Sequence, residues 1–298
     1  MGNPQFTKQM TVREWERLFP TDDACKAYLA ARRWPNGVHC PRCGSERIYP
    51  LSTRAFHWEC PDCRKGGAYR FSVLVETIFE DTKIGLRQWF KVIYLMVTSK
   101  KGISSLQIQR IMGFGSYETA LKMTHRVRAG LADPEFRKLM GIVEVDETYV
   151  GGKNKNRHAD KRKEGRGTAN KIPVVGAVER QGNVIARVLR NTTGENLRAF
   201  VREAVSTKVD LLASDENRGY LHLDEYPHEI VNHSASEYVR GNVHTQTIDG
   251  FWSLLKRGII GTFHNVSAKY LPLYVAEFEW RYNNRSNPDI FGAAVGRC

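Results

Sequence analysis

The stretch Ile142-Val-Glu-Val-Asp-Glu-Thr-Tyr-Val150 decides the fold. Its residues alternate with the period of a β-strand. Val143, Val145 and Tyr149 fall on one face, and Glu144, Asp146 and Thr148 fall on the other. A carboxylate inside an apolar strand is costly to desolvate unless something pairs with it, and a metal ion is one such partner. By the same alternation Glu147 faces away from Asp146, so at most one of the two enters a shared site. Gly151-Gly152 and a strongly basic loop follow directly. Acid in a sheet beside a basic loop points to a metal-dependent site for a polyanion.

Working outward, strand patterns recur at 172–179, 184–190 and 209–214, with a helix at about 195–206 between the last two. Two helical patterns, about 246–257 and 267–283, follow. The N-terminal half reads differently. Thr11-Val-Arg-Glu14 is a capping box opening a short helix. A second helix starts near Thr21-Asp22-Asp23 and runs to about Arg33, where Pro35-Asn36-Gly37 supplies turn chemistry. A third spans roughly Leu86 to Ser99, before Lys100-Lys101-Gly102. Two short helices, Ser104 to Met112 and Ser116 to Ala129, meet at Gly113-Phe114-Gly115. The chain is thus an α/β domain behind a helical, cysteine-containing region.

The 298 residues carry 45 basic and 32 acidic side chains, a formal charge of +13. That excess favours nucleic acid or another polyanion as partner. No signal-peptide pattern opens the chain, and the most apolar run, Val92 to Val97, is too short to span a bilayer. The expected location is cytoplasmic, where cysteines serve as thiols or metal ligands rather than disulfides.

Cys40-Pro-Arg-Cys43 and Cys60-Pro-Asp-Cys63 form two CxxC pairs with sixteen residues between them. This is zinc-knuckle spacing. Four thiolates complete a closed tetrahedral shell, which implies a structural ion. So small a segment would draw its folding free energy from zinc, on the order of 10 kcal/mol. Cys25 reads as a buried small hydrophobe, and Cys298 as a terminal residue without a role. The helix pair at 104–129 reads as a helix-turn-helix, with an ordinary helical hairpin as the alternative. Lys122 and Arg126 project from its second helix as candidate DNA contacts.

Asp146 needs partners. Val209-Asp-Leu-Leu-Ala-Ser-Asp215 is a strand ending in an acid, where α/β folds place active sites. In the segment His244 to Arg257, Ile248, Phe251, Trp252 and Leu255 make an apolar stripe. Asp249, Ser253 and Lys256 lie on another face. Asp249 reads either as a site carboxylate or as a solvated acid near a helix N-terminus. Three carboxylates from two strands and a helix suit two Mg²⁺ ions at a phosphodiester, because Mg²⁺ takes hard oxygen ligands. The loop 152–171 holds eight basic residues against Asp160 and Glu164. Lys153, Lys155, Lys161, Arg162 and Lys163 in it, with Lys256 and Arg257, are candidate contacts to DNA backbone.

The order of these parts resembles the ISXO-like insertion-sequence transposases, which join an N-terminal zinc ribbon to a ribonuclease H-like DDE domain. The resemblance rests on Arg33-Trp-Pro-Asn-Gly with CPRC and CPDC, Thr77-Ile-Phe-Glu-Asp-Thr-Lys, and Ser99-Lys-Lys-Gly-Ile-Ser. It continues through Val145 to Lys153, Ser214-Asp215, His244 to Gly261, and Glu277-Phe-Glu-Trp-Arg-Tyr-Asn-Asn-Arg285. It implies a ribonuclease H-like mixed sheet with flanking helices, movement of a DNA element, and Asp146, Asp215 and Asp249 as the three metal-ligand positions. The group commonly has Glu, and in some members Asn, where this chain has Asp249. The tail from Gly292 to Cys298 departs from the usual end. The implied layout is an N-terminal helical segment (1–35), a zinc ribbon (36–75), a helix-turn-helix-like region (76–135) and a DDE domain (140–291). The implied setting is a bacterial, nucleoid-associated protein with structural Zn²⁺ and two catalytic Mg²⁺. It would act as a homodimer or higher oligomer on terminal inverted repeats and target DNA. The competing readings are a zinc-dependent DNA-binding protein without chemistry and a ribonuclease H-like nuclease that hydrolyses but never joins.

Overall fold

In the computed structural model, residues 9–63, 68–133, 135–152, 171–231 and 244–298 are described. The chain divides into two compact units, residues 1–131 with 286–298, and residues 132–285.

The first unit opens with α1 (Val12–Leu18), whose Thr11–Glu14 capping box forms as the sequence predicts. Helix α2 (Asp22–Arg33) starts at Thr21, whose hydroxyl accepts from the Ala24 amide. A small antiparallel sheet follows, made of β1 (Tyr49–Pro50), β2 (His57–Cys60) and β3 (Tyr69–Ser72). Its aromatic residues pack on one another, with Trp34 against Trp58 at 5.3 Å and Trp58 stacked on Phe71 at 5.9 Å. Helix α3 (Leu86–Thr98) is the core of this unit, burying Trp89, Phe90, Ile93, Met96 and others. Helices α4 (Ser105–Met112) and α5 (Tyr117–Leu131) follow. Gly113 between them adopts φ +67, a left-handed conformation that glycine enters without steric cost. The buried Ser105 and Thr124 hydroxyls tie the two helices at 2.7 Å.

The second unit begins with β4 (Ile142–Val150), followed by β5 (Ile172–Glu179), β6 (Val184–Val188), α6 (Gly194–Ala204), β7 (Leu211–Ser214) and β8 (His228–Ile230). Two helices complete it, α7 (Gln246–Gly258) and α8 (Leu271–Asn283). The strands form one mixed sheet in the order β6-β5-β4-β7-β8. Strand β4 is central, antiparallel to β5 and parallel to β7. The alternation read from its sequence sorts the core. Val143 and Val145 join Leu197, Phe200 and Val201 of α6 on one face. On the other, Val150, Val174 and Val178 meet Ile248, Phe251, Trp252 and Leu255 of α7 and Leu271, Val275 and Phe278 of α8. Each such buried side chain contributes about 2 kcal/mol. The result is a ribonuclease H-like mixed sheet with helices on both faces.

Two terminal features differ from expectation. The tail forms a last helix, α9 (Ile290–Arg297), which belongs to the first unit. Phe291 packs there against Phe19 and Phe90 at 5.4 and 5.7 Å. Cys298 is buried, and its carbonyl accepts from the Ile78 amide at 2.7 Å. The terminal cysteine therefore closes the helical core instead of standing idle. Cys25 is fully buried, as a small hydrophobe should be, and burial pushes its thiol up to about 12. Among the described residues, no helix is long and apolar enough to cross a membrane.

Candidate active site

Asp146 lies where β4 is still flanked by β5 but β7 has ended, since the β4–β7 ladder stops at Val145 opposite Ser214. The next residue after that ladder is Asp215. Oxygen atoms of Asp146, Glu147 and Asp215 lie within 4.8 Å of one another. Burial, then the charges of Asp215 and Glu147, push the Asp146 carboxyl up to about 7. Burial and Asp215 likewise raise Glu147. Three carboxyl groups so placed repel as anions, and a divalent cation would reverse that repulsion.

Each acid is held by the protein. The Trp252 indole of α7 donates to Asp146 at 2.9 Å. Gly176 sits opposite Asp146 in the ladder, and a Cβ there would come within 2.7 Å of the Trp252 ring. The glycine therefore leaves the space that lets the indole cross the sheet to the acid. Asp215 accepts the Asn217 amide at 3.1 Å, an Asx turn that ends β7. Behind it, the Ser214 hydroxyl bridges His228 at 2.8 Å and the Asp215 carbonyl at 3.0 Å.

Glu147 corrects the sequence reading. Strand alternation places its Cα on the α6 face, as expected. Its carboxylate nevertheless joins Asp146, because β7 no longer covers this side of β4 and the longer side chain reaches past the strand. Tyr220 and Asn217 hold it there, donating to its two oxygens at 2.9 and 2.6 Å. Asp249 does not enter this carboxylate cluster. It sits exposed in the first turn of α7, one turn before Trp252.

Sequence reasoning gave Glu144 no role. It is completely buried. One of its oxygens accepts the Thr247 and Ile248 amides at 2.7 and 3.0 Å. The other accepts Arg180 Nε at 2.6 Å and the Thr247 hydroxyl at 2.8 Å, and His244 Nδ1 lies 3.2 Å away. Thr245, the N-cap residue of α7, makes no side-chain cap. A strand carboxylate caps the helix instead, meeting its orphan amides and the positive end of its dipole. The signal was present: an acid two residues before Asp146 on the same face, facing the same helix.

The four knuckle cysteines converge in the first unit. Sγ–Sγ distances are 3.6 Å for both Cys40–Cys63 and Cys43–Cys60. A tetrahedral ion with ~2.3 Å Zn–S bonds has edges of about 3.8 Å, so the thiol set fits zinc. The candidate DNA contacts are scattered. Lys153, Lys155, Lys161, Arg162 and Lys163 lie outside the described residues. Lys256 and Arg257 are exposed in the last turn of α7. Lys122 pairs with Glu118 at 2.8 Å, and Arg126 reaches the Glu80 carbonyl at 3.3 Å.

A four-cysteine ribbon ahead of a ribonuclease H-like sheet, with acids meeting where β7 ends beside the central strand β4, defines a zinc-ribbon protein with a DDE-type domain. Residues 138–283 match the ISXO2-like transposase domain, and residues 20–66 match the transposase zinc-ribbon domain. The chain belongs to the ISXO2-like family of insertion-sequence transposases. An uncharacterized protein in transposable element ISH50 of Halobacterium salinarum is 29% identical over 290 residues, covering 89% of this chain and 92% of that protein. An uncharacterized transposase-like protein of Haemophilus influenzae is 29% identical over 99 residues, 33% of this chain and 78% of its own. A simian T-cell lymphotropic virus intasome, solved in complex with PP2A regulatory subunit B56 gamma, shows 15% identity and a TM-score of 0.30. That match covers 64% of this chain and 65% of that one.

Proposed function

We propose that the chain binds the ends of its insertion sequence and catalyses Mg²⁺-dependent cleavage and strand transfer there. The observation that carries this reading is the approach of Asp215, just past the end of β7, to Asp146 in the middle of the parallel strand β4, with Glu147 drawn in beside them. Their hard oxygen atoms suit Mg²⁺. When bound, two such ions would supply the charge stabilisation that phosphodiester attack requires. Asp146 and Asp215 would hold the cations, and Trp252 fixes one oxygen of Asp146. Asp249, outside the carboxylate cluster and one turn before Trp252 on α7, takes the third metal-ligand role by the family resemblance. Lys256 and Arg257 on the same helix, the loop lysines and arginine at 153–163, and Lys122 and Arg126 hold phosphates. Water first breaks the 3′-oxygen–phosphorus bond at the element's end. The freed 3′-hydroxyl then attacks a target phosphodiester, forming one P–O bond as another breaks. Working on two ends at once calls for a homodimer or larger assembly.

Purified protein with Mg²⁺ and duplexes copied from the DNA flanking its gene should give both nicked and joined strands. Nicked strands alone would favour a ribonuclease H-like nuclease. Binding without either product would favour a DNA-binding protein that has lost the chemistry.

A further inference from the structure

A groove of about 480 Å³ lies at the C-terminal end of β4. Tyr149 of β4 and Lys171, just before β5, line one side of it, and Lys256, Ile260, His264 and Val266 line the other from the end of α7 and the turn beyond. Both formally charged lining residues are lysines, and no carboxylate lines the groove among the described residues. An anion is therefore the matching occupant.

The groove also has an apolar side that a duplex backbone would not use. Ile260 is 71% exposed, the most exposed large hydrophobic residue described. It sits in a π-helical turn, Ile259–Phe263, that ends α7. Such turns are rare and concentrate at functional sites. His264, next in the chain, adopts φ +60, a left-handed conformation uncommon for a residue with a Cβ. The turn thus carries Ile260 into the concavity that Lys256 and Lys171 also line.

Position relates the groove to the acids. Tyr149 is three residues beyond Asp146, about 10 Å along a strand. Lys256 is seven residues beyond Asp249, again about 10 Å along a helix. Both paths end roughly three stacked nucleotides from the acids. The volume is within the range of small-ligand pockets, about 300–1,000 Å³, and suits one nucleotide but no duplex. Only an unpaired base offers a face for apolar contact while its phosphate meets lysine.

We infer that this groove takes a single unpaired nucleotide of the strand engaged at Asp146 and Asp215, phosphate on Lys171 and Lys256, base on Ile260 and Val266. The inference rests on the reading of those acids as a phosphodiester site.

The test uses the full zinc-loaded chain without added Mg²⁺. Its probes are duplexes copied from the gene's flanks, with 2-aminopurine placed singly at successive positions from the end. Binding is followed by anisotropy, and unstacking by 2-aminopurine emission. One position within about three nucleotides of the cleavage point should brighten on binding. Ile260→Ala should abolish that brightening and weaken binding by about fivefold, the loss of one modest base contact. Lys171→Gln, a second variant that leaves the apolar side intact, should also weaken it. Normal duplex binding with no bright position, or with brightening unchanged in Ile260→Ala, would overturn the groove assignment alone. Absence of duplex binding by the wild-type chain would overturn both readings.

Discussion

Asp146 shows how much one residue depends on small neighbours. It is buried beside two other carboxyl groups, and its ordinary ionisation is pushed up to about 7. Its one protein donor from α7, the Trp252 indole, reaches it only because Gly176 leaves room. Trp252→Phe keeps most of the apolar contact and removes the donor. The Mg²⁺ concentration for half-maximal cleavage should then rise several-fold, with the turnover at saturating Mg²⁺ falling less. An unchanged Mg²⁺ dependence would mean that the indole only packs. Asp146 was readable from the sequence, because an acid in a valine-rich strand has few explanations. The indole was legible only as part of an apolar stripe, since periodicity assigns a face to a side chain but says nothing of its polar atom. Glu147 was misjudged because alternation describes Cβ directions, whereas a glutamate at the end of a ladder can bend around the strand.

At the scale of the element, α7 is fastened to β4 at two points on one face. Glu144 takes its first amides and Asp146 takes its indole. The helix that carries Asp249, Lys256 and Arg257 is therefore positioned by the strand that carries the acids. Glu144→Ala would strand Arg180 and uncap the helix. The expected cost is about 3–5 kcal/mol, the usual range for breaking a buried ion pair. Glu144→Gln, which still accepts the two amides through its carbonyl, should cost less. Thermal unfolding of the two variants would measure both, and equal midpoints for Ala and wild type would show that the clamp carries no load. The long periodic elements were legible to within a few residues, β4 and β5 to the residue. The short strands β1 to β3 and β8 were not, because two to four residues carry too little periodicity. Helix α9 escaped because two glycines in eight residues, Gly292 and Gly296, lower its helix propensity. It exists by packing Phe291 and Ile290 into the helical core.

At the scale of the whole molecule, the chain builds two compact units by different means. The sheet unit has a two-faced core on a five-stranded sheet. The ribbon within the other unit has a few stacked aromatic rings and four converging thiols. Metal removal should therefore act unequally. A chelator such as EDTA with a mild denaturant should unfold the ribbon, releasing about one zinc per chain, because structural zinc supplies on the order of 10 kcal/mol. The sheet unit should keep its far-ultraviolet signature. Cooperative loss of both would show that the ribbon supports the whole chain. The four-cysteine site was the most legible feature, since its ligand types and spacing are set by one ion's geometry. The acidic site was legible only as two separate acids, one inside a strand and one after another, because the meeting of distant segments is set by the sheet and not by spacing.

The most direct test concerns Asp146 and Asp215. Full-length wild type, Asp146→Ala and Asp215→Ala should be compared in Mg²⁺ on duplexes from the element's ends with a labelled target. Wild type should give joined strands, and both variants should bind DNA yet lose joining by at least about a thousandfold, the scale expected when a metal-holding acid is removed. Joining at the wild-type rate by Asp146→Ala would contradict the assignment of this site.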